Sequence, residues 1–218
     1  QPIIAIDMRN HGLSPHVPVM TYQLMVDDVL ATLQALAIQS CDLMGHSMGG
    51  KTAMLLALQH PNLVKHLVVV DIAPVTYRPR LQTLLQAMNA LPLATLKNRK
   101  EADTQLSAVV DNAFERGFLL KNLVRETDGG FKWLANLPEI TRHYLKITAF
   151  PSVLTTYQGT ALFIAGRQSD YVTPETWQAA EQLFPKAHLT YIEEAGHLPH
   201  VQTPERFLQL VDEFLTQR

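Results

Sequence analysis

Cysteine, excess charge and long apolar runs are all scarce in this sequence of 218 residues. The single cysteine, Cys41, excludes an intrachain disulfide and gives no indication of an oxidising compartment. The formal net charge is only -2 and no basic cluster stands out, which argues against nucleic acid as a partner. No apolar run approaches the roughly 18 to 20 residues that a membrane-spanning helix needs, so we expect no membrane partner. Metal-site spacings of cysteine and histidine are absent too, and we expect a cytoplasmic protein that needs no metal or cofactor.

Hydrophobic residues make up 47% of the chain, enough to bury a sizeable core in one globular unit with an inserted subdomain. Short apolar runs alternate with segments of helical spacing, first up to Asp71 and again from Ala161 onward. This alternation predicts an α/β fold with a mostly parallel sheet flanked by helices and right-handed crossovers. The predicted strands are 3–6, 41–44, 66–70, 161–165 and 188–192, and the predicted helices lie between Thr21 and Leu36 and at 52–60, 174–184 and 204–215.

Residues 75–153 break this alternation, with helical patterns and no convincing strand. Two examples are the leucine-rich run 81–88 and the apolar positions of 106–113. Turn signals interrupt the segment at Pro92, at Gly129-Gly130 and at Pro138. A helical insertion between parallel strands predicts a cap over the carboxyl edge of the sheet, where such folds bind ligands. The predicted domains are a core made of 1–74 and 154–218 and a cap made of 75–153.

The chain opens almost directly on the apolar run Ile3–Ile6, which is typical of a fully buried strand in a parallel sheet. It does not start with methionine, and no polar segment leads into the run. Because a domain rarely begins with its core, we expect a further segment upstream of residue 1.

The pentapeptide Gly45–Gly49 fits the pattern Gly-x-Ser-x-Gly, in which the serine is a nucleophile. The pattern alone is common, but here it follows a predicted strand and begins a predicted helix, as this motif requires. A sharp turn there strains the serine backbone, so its crowded neighbours must be nearly free of side chains. We therefore predict Ser47 as the nucleophile and the Met48 N–H, at the start of the helix, as an oxyanion donor. In the alternative, Ser47 only caps the helix.

His197 lies on a loop after the last predicted strand, close to the carboxyl end of the chain. Folds of this kind carry their general base there, and a neutral imidazole can take the Ser47 proton and return it to the leaving group. Of the nine histidines, His46 and His200 are the competitors. The His46 side chain should project away from Ser47, and His200 suits a supporting position. His197 is therefore the predicted base.

The acid that should orient His197 has two candidates. In the usual arrangement it follows the strand after the insertion, but Ser169 occupies the expected offset from Gly166 and Asp170 comes one residue late. Asp71, at the end of the strand that follows the nucleophile helix, is the other candidate. An acid must reach Nδ1 of the base to fix its tautomer and stabilise the imidazolium. We prefer Asp71, with Ser169 as a hydrogen-bond partner near His197; in the alternative, each aspartate only caps the segment after it.

Four motifs along the chain can be taken together. They are Asp7-Met8-Arg9-Asn10-His11-Gly12-Leu13-Ser14-Pro15, Gly45-His46-Ser47-Met48-Gly49-Gly50-Lys51, Asp71-Ile72-Ala73-Pro74-Val75 and Ser169-Asp170-Tyr171-Val172. This combination resembles the bacterial YbfF-type esterases of the α/β-hydrolase superfamily, along nearly the whole chain and more weakly through the helical insertion. The Asp-Ile-Ala-Pro-Val run is fairly specific to that branch, whereas the serine motif is shared across the superfamily.

The resemblance implies an α/β-hydrolase core under a helical cap, with hydrolysis of short carboxylic esters or of acyl-CoA thioesters. It also implies Asp71 as the triad acid, with Ser169 beside His197. Members of the family carry about three strands before the segment where this chain starts, so we expect about 40 further residues upstream. The loop after the third of those strands bears a second oxyanion N–H, which we expect in that upstream segment.

The predicted function is that of a serine esterase that forms an acyl-enzyme on a small-molecule ester or thioester. The candidate substrate-binding residues are His46, Tyr77, Arg78 and Arg80. The last three lie at the entrance of the predicted cap, where the arginines suit an anionic group such as a CoA phosphate or are simply solvated. Rival predictions are a carbon–carbon bond hydrolase with the same triad and a non-catalytic binding protein on the same scaffold. Haloalkane dehalogenases and epoxide hydrolases are disfavoured, because they need an aspartate where this chain has Ser47. We expect the protein to be a monomer or a dimer.

Overall fold

The computed structural model describes residues 2–127 and 129–216. The chain packs as two compact units, each built from two stretches of sequence. We name Tyr22–Thr76 with Ala149–Arg218 the sheet unit, and Gln1–Thr21 with Tyr77–Thr148 the helical unit. In the described part of the chain, no helix combines the length and the apolarity needed to cross a membrane.

Helices and short strands follow one another in an order close to the predicted one. The elements are α1 (Tyr22–Ala35), β1 (Cys41–His46), α2 (Met48–Gln59), β2 (Val64–Val70), α3 (Gln82–Asn89), α4 (Arg99–Leu106), α5 (Ala113–Leu119), β3 (Leu123–Arg125), β4 (Phe131–Trp133), α6 (Leu137–Thr148), β5 (Thr160–Gly166), α7 (Pro174–Leu183), β6 (Ala187–Ile192), α8 (Pro199–Gln202) and α9 (Pro204–Thr216). The strands predicted at 41–44, 66–70, 161–165 and 188–192 are confirmed as β1, β2, β5 and β6.

The sheet unit is built on a parallel sheet with the order β1-β2-β5-β6 among the described residues. A parallel pair cannot be joined by a tight turn, so α2 crosses back between β1 and β2, and α7 does so between β5 and β6. The carboxyl ends of these strands therefore lie at one edge. Ser47 follows β1, Asp71 follows β2 and Ser169 lies three residues beyond β5, so the topology brings three predicted site residues to that edge.

Helices cover both faces of this sheet. A Cβ added to Gly50 of α2 would meet the Val69 side chain, whereas Val68 and Val70 pack in a buried cluster with Phe207 of α9. Successive side chains of a strand point to opposite faces, so α2 and α9 lie on opposite sides of the sheet. β2 and β5 are buried on both faces, which explains why these two strands appear in the sequence as continuous apolar runs.

The helical unit has a buried cluster of its own, to which Trp133 contributes an indole N–H that donates to the Met88 carbonyl over 3.2 Å. The N-terminal loop packs in the same unit. The Asn136 N–H donates to the Asn10 carbonyl over 2.8 Å, and His143 Nε2 lies 2.9 Å from the Pro18 carbonyl oxygen. These bonds join the loop to α6 and to the segment before it.

The predicted strand at 3–6 is wrong. These residues have no regular secondary structure, and the Ile3 side chain is 92% exposed. A strand needs a neighbouring strand to take its backbone N–H and C=O groups, and no strand within residues 2–127 and 129–216 pairs with this run. Apolar composition alone therefore did not decide the conformation of this segment.

The prediction that the insertion contains no strand is also wrong. β3 and β4 form a short antiparallel hairpin in which Leu123 lies opposite Trp133 and Arg125 lies opposite Phe131. Gly129 and Gly130, predicted as a turn, lie between the two strands. Strands of three residues are too short to show the alternating pattern that identifies a strand in a sequence.

Two details of the predicted helical pattern need correction. The apolar positions of 106–113 span a break, because α4 ends at Leu106 and α5 begins at Ala113. The Asn112 side chain accepts the Phe114 N–H and so starts a new helix. Pro138 does not interrupt α6 but lies in its first turn, where the N–H groups have no partner within the helix and proline is tolerated.

The two units differ from the predicted domains mainly at the amino terminus, since Gln1–Thr21 belongs to the helical unit. The chain changes unit after Thr76 and after Thr148 rather than at 75 and 154. The Tyr77 N–H donates to the Thr148 carbonyl over 2.9 Å, which joins the two ends of the helical segment. The description of this segment as a cap stays a prediction.

Candidate active site

Ser47 lies on the turn between β1 and α2, in the kind of strained conformation that its motif predicts. Its φ is 51° and its ψ is -116°, a combination that residues with a side chain rarely adopt. The Ser47 N–H donates to the Val70 carbonyl of the neighbouring β2 over 3.0 Å. The sheet itself therefore holds the turn in place.

The turn requires small residues at two positions. A Cβ on Gly45 would collide with the backbone of Gly49 and Gly50, and a Cβ on Gly50 would press on the Ile72 side chain. At Gly49 an added Cβ would meet no atom of the described residues within 4 Å. A side chain would therefore be crowded on both sides of Ser47. After the serine the crowded position is Gly50, whereas Gly49, the second glycine of the motif, has room for a Cβ.

His197 lies between Ser47 and Asp71. Its Nε2 is 3.1 Å from Ser47 Oγ, and its Nδ1 is 2.7 Å from Asp71 Oδ2. A carboxylate only accepts hydrogen bonds, so in the neutral ring Nδ1 carries the proton and Nε2 presents its lone pair to the serine hydroxyl. This is the orientation in which an imidazole can remove the serine proton.

Asp71 is buried, with 1% of its surface exposed, and its carboxylate accepts three hydrogen bonds. The Gly166 N–H donates to Oδ1 over 2.9 Å, while the Ser169 hydroxyl donates to Oδ2 over 2.5 Å beside the His197 ring. The Asp71 N–H donates to the Ile164 carbonyl over 2.8 Å. Three donors compensate for the loss of water around a buried carboxylate.

Ser169 and its neighbour Asp170 lie in different surroundings. Ser169 reaches Asp71, and its Oγ also accepts the Tyr171 N–H over 3.3 Å. The Asp170 residue is exposed. The structure therefore brings Ser47, His197, Asp71 and Ser169 together in one hydrogen-bonded line and leaves Asp170 at the surface. The geometry supports Asp71 as the acid.

Two further rings, those of Tyr171 and His46, contact the His197 ring, and a third, that of His200, contacts His46; sequence reasoning did not group them. Tyr171 stacks on the His197 ring, with centroids 4.1 Å apart and planes inclined by 22°. The His46 ring lies 4.7 Å from the His197 ring and 4.7 Å from the His200 ring. In the sequence, His46 and His200 are mainly rival candidates for the base. The only sequence signal for Tyr171 is its position two residues after Ser169.

The His46 side chain contacts the loop of the base. Its Nε2 lies 2.7 Å from the His197 carbonyl oxygen, so Nε2–H is the donor. Burial, and then the nearby His197 and His200, lower the pKa of His46 to about 3. Burial and His197 also lower the pKa of His200. Neither ring is well suited to act as the base, and the predicted role of His46 in substrate binding stays a prediction.

Lys51 lies one turn after Ser47 in α2 and has only 2% of its surface exposed. Its Nζ donates to the Val75 carbonyl over 2.7 Å and to the Ala149 carbonyl over 2.9 Å. Burial lowers the pKa of Lys51 from 10.5 to about 7. Lysine is rarely fully buried, so this position could not be expected from the sequence.

The remaining predicted residues are placed as follows. Met48 is the first residue of α2, where backbone N–H groups have no intrahelical partner and suit an oxyanion. Tyr77, Arg78 and Arg80 lie in the helical unit before α3, with both arginines exposed, and their role in substrate binding stays a prediction. Within the described residues, no cluster of three histidine, cysteine, aspartate or glutamate side chains could hold a metal ion.

Comparison with known proteins gives consistent matches along the chain. The model of the alpha/beta hydrolase fold family matches residues 1–204. The sn-1-specific diacylglycerol lipase ABHD11 of Mus musculus is 43% identical over 219 residues, which cover 98% of this chain and 71% of the mouse protein. Esterase YbfF of Escherichia coli is 35% identical over 214 residues, which cover 98% of this chain and 82% of that protein.

A solved structure, a marine microorganism esterase, matches with a TM-score of 0.91 at 39% identity and covers 95% of this chain and 82% of the other. These matches confirm the fold, the family resemblance and the enzyme class predicted from the sequence, a carboxylic ester hydrolase. The chain belongs to the α/β-hydrolase fold family, in its YbfF-type esterase branch.

Proposed function

We propose that the chain hydrolyses short-chain carboxylic esters of small molecules, with acyl-CoA thioesters as a related substrate class, through an acyl-enzyme on Ser47. The observation that carries this proposal is the line of hydrogen bonds from Ser47 Oγ through the His197 ring to Asp71. Nucleophile, base and acid are each within hydrogen-bonding distance of the next, as acyl transfer by a serine requires. The thioester class is carried over from the family resemblance, and Arg78 and Arg80, exposed residues of the helical unit, stay predicted anion-binding residues.

In the first half of the reaction, Ser47 Oγ attacks the ester carbonyl carbon while His197 Nε2 takes the hydroxyl proton. The negative charge that develops on the carbonyl oxygen is stabilised by the Met48 N–H at the start of α2. Asp71 stabilises the imidazolium across the 2.7 Å bond to Nδ1. When the carbon–oxygen bond breaks, His197 gives its proton to the leaving alcohol, and the acyl group stays on Ser47.

In the second half, water replaces the alcohol. His197 Nε2 takes a proton from the water as its oxygen attacks the acyl carbon, and the same Met48 N–H stabilises the second oxyanion. The bond between the acyl carbon and Ser47 Oγ breaks, the proton returns to Oγ, and the carboxylic acid leaves. The three side chains are then back in their starting protonation states.

A second candidate substrate class is diacylglycerol. The mouse relative that is 43% identical carries the name of an sn-1-specific diacylglycerol lipase. The same triad would cleave the ester at the first glycerol position by the steps above, with the monoacylglycerol as leaving alcohol.

The cytoplasmic location and the monomer or dimer state stay predictions.

The test is hydrolysis of a chain-length series of p-nitrophenyl esters by the full-length protein and its Ser47→Ala variant, with diacylglycerol, an acyl-CoA and a diketone assayed beside them. We expect the highest kcat/KM on short acyl chains and a loss on the order of 10⁶-fold in kcat in the variant. Ser152→Ala, which changes an exposed serine of the sheet unit, is the control and should retain the wild-type rate.

Equal rates in wild type and Ser47→Ala would refute the acyl-enzyme. Faster cleavage of the diketone than of every ester would favour the carbon–carbon bond hydrolase. If a fluorophosphonate does not label Ser47 and no substrate turns over, the binding-protein alternative replaces the proposal.

A further inference from the structure

We propose that His46 is a positioning residue for ester hydrolysis: by holding the His197 backbone with its Nε2–H, it sets the distance between the base and the nucleophile. This inference rests on the proposed function of Ser47 and His197. It assigns to His46 a role different from the substrate binding expected from the sequence.

The position of His46 in the chain makes such a role effective. It is the last residue of β1 and directly precedes Ser47, whose N–H is fixed on the Val70 carbonyl over 3.0 Å. One short stretch of backbone therefore carries both the nucleophile and the group that holds the base. The His46 Nε2–H bond to the His197 carbonyl oxygen is 2.7 Å long and joins residues 151 positions apart. A shift at either end of this bond would change the 3.1 Å distance between His197 Nε2 and Ser47 Oγ.

The loop on both sides of His197 has a second support. Gln202 of α8 accepts the Gly196 N–H over 2.9 Å and the Leu198 N–H over 3.3 Å with its side-chain oxygen. Gln202 is exposed, whereas the bond from His46 is partly buried. Hydrogen bonds are stronger where water is excluded, so we expect His46 to contribute more than Gln202 to the placement of His197.

A histidine suits this position because it can donate without a charge. In the acylation step His197 becomes a cation, and a second cation 4.7 Å away would oppose that change. Burial, His197 and His200 keep the pKa of His46 at about 3, so the ring stays neutral. With its proton on Nε2, the neutral ring is a fixed hydrogen-bond donor on a short side chain.

Two amide variants separate positioning from other roles. The amide nitrogen of His46→Gln takes the place of Nε2 and can donate to the His197 carbonyl, whereas that of His46→Asn reaches only the place of Nδ1. Misplacing a reacting group by about 1 Å costs on the order of 10²-fold. We therefore expect kcat for a short p-nitrophenyl ester to fall by about 10- to 100-fold in His46→Asn with KM within about threefold, and His46→Gln to recover at least about tenfold of that loss.

The matched control is His60→Gln, which changes an exposed histidine beyond the other end of α2 and should keep wild-type constants. Thermal melting and fluorophosphonate labelling of Ser47 give the folded and active fraction of each variant, so kcat refers to competent enzyme. A kcat loss that Gln does not recover, or wild-type kcat in both variants, would overturn the proposal. A rise of KM at unchanged kcat would overturn it in favour of substrate binding by His46. Ser47→Ala, assayed in parallel, reports separately on the proposed function, because its full activity would refute the acyl-enzyme whatever the His46 variants do.

Discussion

At the residue scale, Asp71 shows how one side chain can organise a site from three parts of the chain. Its carboxylate accepts from Gly166 at the end of β5, from Ser169 shortly after β5 and from His197 on the segment after β6. Because the carboxylate is buried and its oxygens are occupied, it has little freedom to rotate. The His197 ring is therefore held with Nδ1 towards Asp71 and Nε2 towards Ser47.

Replacing the acid should distinguish the two candidates. Asp71→Asn keeps the shape but can present an amide N–H to Nδ1, which favours the wrong tautomer of His197, so we expect kcat to fall by about 10⁴-fold. Asp170→Asn changes an exposed residue and should lose far less. Steady-state kinetics on one short ester measures both. A larger loss in Asp170→Asn would show that Asp170 is the acid and Asp71 only a structural group.

Ser169 should have a smaller effect, since it supports Asp71 and does not touch the reacting atoms. Ser169→Ala removes the 2.5 Å hydrogen bond to Oδ2 but leaves the Gly166 and His197 bonds in place. The loss of one hydrogen bond to a charged group is worth about 1.5–3 kcal/mol, so we expect kcat to decrease by about tenfold to a hundredfold. Comparison of kcat in Ser169→Ala and Asp71→Asn checks this, and an equal loss in both would contradict the supporting role.

At the scale of elements, the turn from β1 to α2 depends on how closely the strand end approaches the helix. Gly45 faces the backbone of Gly49 and Gly50 so closely that no Cβ fits. The amino end of α2, with the Met48 N–H, is thereby brought next to Ser47. The close approach of two elements, rather than a special φ at Gly45, explains the need for glycine.

Adding a methyl group at Gly45 should therefore disturb both stability and catalysis. Gly45→Ala forces α2 away from β1, and such overpacking costs about 1–3 kcal/mol in the free energy of unfolding. We expect kcat to fall as well, because the Met48 N–H moves with the helix. Gly117→Ala is the control, since a Cβ at this helical position in α5 meets nothing within 4 Å among the described residues and alanine favours helix. Urea denaturation and ester hydrolysis measure both effects, and a fully stable, fully active Gly45→Ala protein would contradict the prediction.

At the scale of the whole molecule, Lys51 makes the stability of the fold depend on pH. Its buried ammonium group donates to the Val75 and Ala149 carbonyls and lies near the Tyr22 ring, and burial lowers its pKa to about 7. In the unfolded chain the same group titrates near 10.5. Between these values the unfolded chain binds one more proton than the folded protein, so the free energy of unfolding increases with pH. Below about pH 7 both states are protonated and this dependence disappears.

We expect the difference in unfolding free energy between wild type and Lys51→Met to grow in favour of wild type from about pH 7 to 9.5. The slope is at most about 1.4 kcal/mol per pH unit, and effects of other groups cancel in the difference. Urea denaturation at constant ionic strength measures it. Lys186→Met, at an exposed position, should show no such trend. A difference that is flat with pH would show that Lys51 keeps an ordinary pKa in the folded protein.

Much of the fold was predicted from local patterns, and the errors in that prediction have physical causes. The strands of the parallel sheet and the turn at Ser47 were predicted because apolar runs and turn residues act over a few neighbouring positions. The run at 3–6 has the same composition but no partner strand within the described residues. The β3–β4 hairpin was missed since three residues do not make a pattern.

The sequence by itself determined the α/β alternation and predicted Ser47 as the nucleophile and His197 as the base, because each of these depends on residues close together in the chain. Only the tertiary structure decided which aspartate faces the base, since the His197–Asp71 bond joins residues 126 positions apart. It also decided that His46 turns to the His197 loop and that Lys51 is buried. These features depend on which distant segments are brought together by the packing of the sheet, and a local pattern carries no information about such contacts.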